Sequence, residues 1–262
     1  MKGAILGDIV GSLYEFSSDK TKDFVFLTPS CHLTDDSLMT IAVGCACATS
    51  DITDKDSFQA TLCRLMREIG NMYPYAGYGR GFYDWLTNED MGPYNSFGNG
   101  SAMRVSPVAW AASTLHEAER LAKWSAEVTH NHEEGIKGAQ AIASCIFLAK
   151  SGKSKEDIRK YVEKNYYSLD FTLDEIRPSY RFDVTCQSSV PQGIMCFLES
   201  ESFEDAIRNA VSLGGDGDTI AAMAGSIAEA CYGIPSELED KILDYIDSDL
   251  IDYYNTYIDE LY

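Results

Sequence analysis

The sequence predicts an all-α protein, and three observations carry that expectation. Apolar residues recur at three- and four-residue spacing over 37–49, 56–69, 106–127, 133–150, 154–165, 191–200, 202–212, 219–232 and 236–247 of the 262 residues. Helix punctuation agrees: Pro107 stands near one start, Gly152 and Gly233 follow two ends, and Pro235 comes just after the second. No stretch shows the strict alternation of a half-buried strand. Between these segments lie 14–33, 70–104 and 166–190, rich in Tyr, Gly, Pro and Asn and long for plain connections, the kind of loop that carries function. No linker, repeat or low-complexity tract divides the chain. Residues 1–262 therefore read as one domain whose function sits on helix ends and loops.

Composition narrows the function classes. Hydrophobic residues make up 45% and charged residues 24%, the balance of a soluble globular protein. The first residues, "MKGAILGDIVGSLYEF", are too interrupted by Asp8 and glycines for a signal peptide. No stretch approaches the ~18 apolar residues of a membrane span, so no membrane partner is expected. Eight cysteines are scattered in apolar contexts without a CxxC pair, which argues against a zinc ribbon or a disulfide framework and for a reduced, cytoplasmic protein. A net charge of −20 excludes non-specific nucleic-acid binding. It also means that an anionic substrate must be held by local devices: a metal, backbone amides or an isolated Arg.

Six stretches carry chemistry. In "GDIVGSLYE", Asp8 and Glu15 are seven residues apart, two helical turns, so both can share one helix face; each taken singly also fits a solvated position. "LTDDSLMTIAVGCACA" puts Thr34, Asp35 and Asp36 immediately before an apolar helix, which alone reads as an N-cap. "SFGNGSAMRVSPVAW" offers backbone amides to an anion or ribose, although a plain glycine turn has the same composition. "VTHNHEEG" places His130, His132 and Glu133 close together without the HExxH spacing of a zinc site; a histidine hydrogen-bonded at a helix start fits equally. The aromatic run "YPYAGYGRGFYDW" can stack a ring or simply pack. The last stretch, "LGGDGDT", sets Asp216 and Asp218 one residue apart beside Thr219, again at the mouth of an apolar helix.

Capping needs one such residue, not three. Two carboxylates on one side of an extended segment repel unless a cation or a shared proton lies between them. If the helices after Thr34 and Asp216 pack side by side in the same direction, four carboxylates and two hydroxyls converge. Hard oxygen ligands select Mg²⁺, Mn²⁺ or Ca²⁺ over zinc, and four carboxylates balance two divalent ions.

With "GDIVGSLYE", "TDDSLM", "GNGSAMR", "TH" and "GGDGDT" in this order, the chain resembles the ADP-ribosylglycohydrolases, the group that includes the dinitrogenase reductase-activating glycohydrolases, from Lys2 to about Pro235. The resemblance implies an all-helical fold with two Mg²⁺ or Mn²⁺ ions in a central cleft. It also implies hydrolysis at C1″ of the distal ribose in an ADP-ribosylated protein or small molecule, with ADP-ribose released. Carried over by motif, Thr34, Asp35, Asp36, Asp216, Asp218 and Thr219 look like the metal ligands, and Glu15 matches the acid of the first motif. Ser96, Phe97, Gly98, Asn99, Gly100 and Met103 match the loop that cradles ADP-ribose, and His130 a histidine near the nucleotide. Ser37 stands where Thr is frequent, and Gly217 where Thr, Ser or Asn is frequent. The mechanism expected on this basis has Asp36 taking the proton of the attacking water, with Glu15 closing the site or orienting its contents. A non-catalytic ADP-ribose-binding or structural, crystallin-like member would keep the loop and lose the metal chemistry, and all six ligand positions are present here. A two-metal pyrophosphohydrolase is the other alternative; it would release AMP.

Overall fold

A helix that hydrophobic spacing does not announce lies at the centre of the fold. The structure, a computed structural model, describes residues 1–15 and 19–261, and its first element is α1 (Lys2–Gly11). This helix is buried from Gly3 to Gly11, so it has no polar face to generate a 3.6-residue pattern. Its glycines at 3, 7 and 11 form one stripe, and that stripe lies directly on the backbone of α13 (Gly217–Tyr232). A Cβ at Gly7 would stand 2.1 Å from the Ala221 carbonyl oxygen, and one at Gly11 2.4 Å from the Asp218 Cα. At the other end the Met1 amine and the Gly3 amide both donate to Glu229 Oε2, at 2.9 and 2.8 Å. α1 therefore runs antiparallel to α13, with its last turn against the first turn of α13.

The remaining helices wrap this pair. In chain order they are α2 (Asp35–Thr49), α3 (Lys55–Met72), α4 (Arg80–Thr87), α5 (Gly100–Met103), α6 (Ser106–Ala111), α7 (Leu115–Glu127), α8 (Glu133–Lys150), α9 (Lys155–Asn165), α10 (Leu173–Ile176), α11 (Cys186–Leu198) and α12 (Phe203–Leu213). After α13 come α14 (Ser236–Glu239), a 3₁₀ turn (Asp240–Asp244) and α15 (Ile251–Leu261). α8 runs through the middle of the second half, touching α5, α6, α7, α11 and α13. Among the described residues the only extended pairing is an isolated antiparallel bridge between Gly98 and Thr185. The all-α expectation holds.

Several boundaries differ from the sequence reading, each for a local reason. The segment expected as one helix over 106–127 is two, because Thr114 accepts from the Glu117 amide at 3.1 Å while Glu117 Oε2 accepts from Ser113 N at 2.9 Å. α11 begins five residues before Pro191 and carries that proline inside it. Helix α4 forms within the stretch read as irregular, where its Phe82 and Trp85 stack with centroids 5.5 Å apart. α15 lay beyond the last expected helix; its Tyr257 is buried against Gly44 of α2, where a Cβ would come within 2.5 Å of the ring. The expected helix over 236–247 is only the short α14 and the 3₁₀ turn.

Among the described residues, no helix is long and apolar enough to cross a membrane.

Candidate functional site

The N-terminal ends of α2 and α13 meet the C-terminal end of α1. They do not reach each other by lying side by side, as the sequence suggested: most of the packing between them runs through α1. Asp8, fully buried, organises the start of α2. It accepts from Thr34 N (2.9 Å), Thr34 Oγ1 (2.6 Å), Ser37 N (3.1 Å) and the Ser37 hydroxyl. Neither a solvated position for Asp8 nor a shared helix face with Glu15 survives. α1 stops at Gly11, and Glu15 joins the cluster from the turn that follows.

Thr34 is the N-cap of α2, its hydroxyl accepting from Asp36 N at 3.3 Å. Asp35 and Asp36 occupy the first turn, and the Asp35 amide donates to Ala76 O at 2.9 Å. The start of α13 is made differently. Gly214 and Gly215 have φ of +67° and +80°, a left-handed turn that side-chain-bearing residues resist, and they deliver Asp216 to the N-cap position. Asp216 makes no capping bond. Its carboxylate instead accepts from Asn99 Nδ2 at 2.6 Å. The two mouths are joined by Thr219 Oγ1, which donates to Asp36 Oδ2 at 3.0 Å.

Two overlapping triads of carboxylates result: Asp8, Asp36 and Asp218 can bring one oxygen each within 4.8 Å of one another, and so can Glu15, Asp216 and Asp218. Asp218 belongs to both. Burial and the neighbouring negative charges push these acids upward. Glu15 is raised to about 7, first by burial and then by the charges of Asp216 and Asp8. Asp35 is raised to about 8 by burial and then by Asp8 and Asp216. Asp36 and Asp218 lie well above the usual carboxylate range, for burial and for each other's or a neighbour's charge. Asp8 and Asp216 are raised as well, by burial, although hydrogen bonds to Ser37 and Asn99 pull each of them back.

This donor set fits hard divalent cations. Every ligand atom is oxygen, and Asp36 Oδ1 is buried with no hydrogen-bond partner among the described residues. A buried carboxylate oxygen left without a donor is costly unless a cation or proton completes it. Of the six residues expected as ligands, Asp36, Asp216, Asp218 and Thr219 come together at this point. Asp35 lines the cavity beside them but joins neither triad, and the Thr34 hydroxyl is engaged with Asp8 and the Asp36 amide. Asp8, singled out with Glu15 but not counted among the ligands, also enters the cluster.

Above the carboxylates opens a cavity of about 540 Å³. Ser96, Gly98, Asn99, Gly100, Met103 and His130 form one wall. The loop does not offer all its amides, as the sequence suggested. Gly98 N donates to Ser96 Oγ (3.1 Å) and Asn99 N to Val184 O (2.8 Å), the latter beside the Gly98–Thr185 bridge. Phe97 is outside the lining, 45% exposed and edge-on to His132 at 5.4 Å. His132 accepts from Glu134 N at 3.1 Å and so caps α8, which answers the histidine pair: the two rings serve different partners. The aromatic run divides. Tyr78, Phe82 and Trp85 pack inward, whereas Tyr75 stands 97% exposed at the cavity's edge and Gly77, at φ +102°, passes close to Asp35.

An all-helical frame with carboxylate oxygens gathered on the floor of a cleft suits a protein that holds hard divalent cations beside a small ligand. The ADP-ribosylglycohydrolase family model matches residues 1–261, and the chain belongs to that family. It is 26% identical to human ADP-ribosylhydrolase ARH3 over 96% of this chain and 90% of that protein. It is 27% identical to ADP-ribosylarginine hydrolase Tri1 of Pseudomonas putida, over 92% of this chain and 73% of the relative. A solved ADP-ribosylglycohydrolase-related protein complex shares the fold, with a TM-score of 0.68 at 20% identity over 99% of this chain and 95% of that one.

Proposed function

We propose that this protein cleaves the C1″ glycosidic bond of ADP-ribosylated proteins or small molecules and releases ADP-ribose, using two divalent cations, Mg²⁺ or Mn²⁺. The observation that carries the reading is the buried, unpartnered Oδ1 of Asp36, a member of one of the two carboxylate triads that share Asp218. Asp36, Asp218, Asp216 and Glu15 would hold the cations, with Asp35 and the hydroxyls of Thr34 and Thr219 beside them. Bound there, such ions stabilise negative charge and lower the pKa of water.

The chain's own groups do the rest. A cavity of about 540 Å³ lies in the range of small-ligand pockets, and its glycine-lined wall lets the ADP-ribosyl group approach backbone closely. Asn99 fixes the Asp216 carboxylate, so the floor keeps its shape when substrate enters. Asp36 takes the proton of the attacking water as the C1″ bond breaks through an oxocarbenium-like state. Glu15, only half-buried and raised to about 7, orients the ribose or the water at the mouth. Asp8 has four donors already, so its part is to hold the α2 start in place. All eight cysteines are unpaired thiols, which suits action in the cytoplasm.

Defined substrates carrying ADP-ribose on arginine, serine or an acetyl ester, incubated with Mg²⁺ or with EDTA, test this directly. ADP-ribose appears only with metal and from at least one linkage. Release of AMP would favour a pyrophosphohydrolase, and full activity in EDTA would end the two-cation reading.

A further inference from the structure

Arg104 is a fully buried guanidinium that makes no ion pair among the described residues. Its Nη2 donates to Ser125 O at 3.1 Å and to Thr129 Oγ1 at 2.8 Å, and its Cζ lies 5.9 Å from the centroid of Phe82. Thr129 Oγ1 is in turn 2.7 Å from His130 Nδ1. All three residues are buried. A guanidinium can only donate, so the Thr129 oxygen accepts from it. The hydroxyl proton then needs an acceptor of its own, and the His130 Nδ1 lone pair is the one in reach. The opposite tautomer would aim two donors at one oxygen and leave the hydroxyl proton unpaired in the interior.

We propose that Arg104 and Thr129 are positioning residues that hold His130 as its Nε2–H tautomer, a fixed donor for an acceptor oxygen of the bound ADP-ribosyl group. This deepens the function proposed above and rests on it for the identity of the ligand. Nε2 faces the cavity with no hydrogen-bond partner among the described residues. It lies against the loop glycines: a Cβ at Gly100 would be 3.1 Å from it, and one at Gly98 3.5 Å. A side chain at Gly100 would crowd the donor, whereas one at Gly98 would meet it at ordinary contact distance. Burial and the nearby Arg104 charge hold the ring well below its ordinary pKa, so it stays neutral and keeps one donor nitrogen.

Nitrogen-15 spectra of histidine-labelled, ligand-free protein read the tautomer, with His130 assigned by the signal lost in His130→Gln. Wild type is expected to show Nδ1 at the shift of an unprotonated ring nitrogen and Nε2 at that of a protonated one. Thr129→Val should move both shifts toward a tautomer mixture and weaken ADP-ribose binding in calorimetry by about tenfold, the scale of one hydrogen bond. Thr129→Ser should restore both. A protonated Nδ1 in wild type overturns the proposal without any variant. So do Thr129→Val shifts equal to wild type, or altered shifts with unchanged ADP-ribose affinity. Because the spectra need no ligand, they judge the tautomer even if wild type fails to bind ADP-ribose, a failure that counts against the proposed function instead.

Discussion

The starts of α2 and α13 share a Thr-Asp-Asp composition and reach the same cleft by different construction. At α2 the cap is regular: Thr34 serves its own helix, and a remote acid, Asp8, satisfies the threonine and Ser37 together. At α13 the capping residue makes no capping bond. Two left-handed glycines turn the chain, and a side-chain amide from another loop, that of Asn99, holds Asp216. One mouth is organised by a carboxylate that receives hydrogen bonds, the other by an amide that gives one. Stability should therefore depend most on the acid behind α2, and turnover on the acids of α13.

The largest expected effect is at Asp218, the residue common to both triads. Asp218→Asn should lower turnover by on the order of 10²-fold or more, with folding retained, because it removes charge from a cation-balancing site while keeping the side chain's shape in the first turn of α13. Wild-type turnover in the purified variant would reduce Asp218 to a first-turn acid of α13 with no part in the reaction. Glu15→Gln comes next: kcat and kcat/KM should both fall by roughly 10²-fold, the pattern of a group used in the transition state. A rise in KM alone would assign Glu15 to uniform binding, and wild-type parameters would remove it from the site.

The two residues behind the mouths separate the comparison itself. Asp8→Asn should cost about 2 kcal/mol in chemical denaturation, since an amide nitrogen would face donors that now meet a carboxylate. Asn99→Ala should cost about half of that, roughly 1 kcal/mol, for one hydrogen bond lost, yet lower kcat/KM by about tenfold as Asp216 loosens. Equal stability losses with equal rate losses would mean that the two mouths are not differently built.

The smallest effect concerns pH in metal-free protein. Glu15 is raised to about 7 and Asp35 to about 8 in the folded chain. A raised carboxyl keeps its proton in the folded state at pH values where the unfolded chain has lost it, so stability rises as pH falls through this window toward the ordinary carboxylate range. In EDTA, Tm should thus be higher near about pH 6 than near about pH 8, and added Mg²⁺ should reduce the difference. A Tm that climbs with pH in EDTA would contradict the crowding of unpaired carboxyls.

Capping chemistry and glycine turns are local, which is why "TDDS" and "GGDGDT" marked both helix starts and most of the acids that line the cleft. What lay hidden depends on distant neighbours. α1 is buried on all sides, so its glycines and Asp8 looked like interruptions; they are its contacts with α13 and α2. The loop amides of Gly98 and Asn99 looked available because nothing in the sequence reveals that Ser96 Oγ and Val184 O already occupy them. The break before α7 was legible in principle, since Thr114 and Glu117 form a Thr-x-x-Glu capping pair, but the apolar spacing runs straight across it.

The glycine stripe of α1 has a consequence for the interpretation of changes in the cleft. Along that seam main chain rests on main chain, so no rotamer lies between the two helices that set the distance from Gly11 to Asp218. Thermal hopping that loosens a contact between long side chains has nothing to act on there. A residue on the cleft floor can be exchanged while the frame under it keeps its dimensions, and the loss in rate then measures lost chemistry, with little contribution from a displaced scaffold.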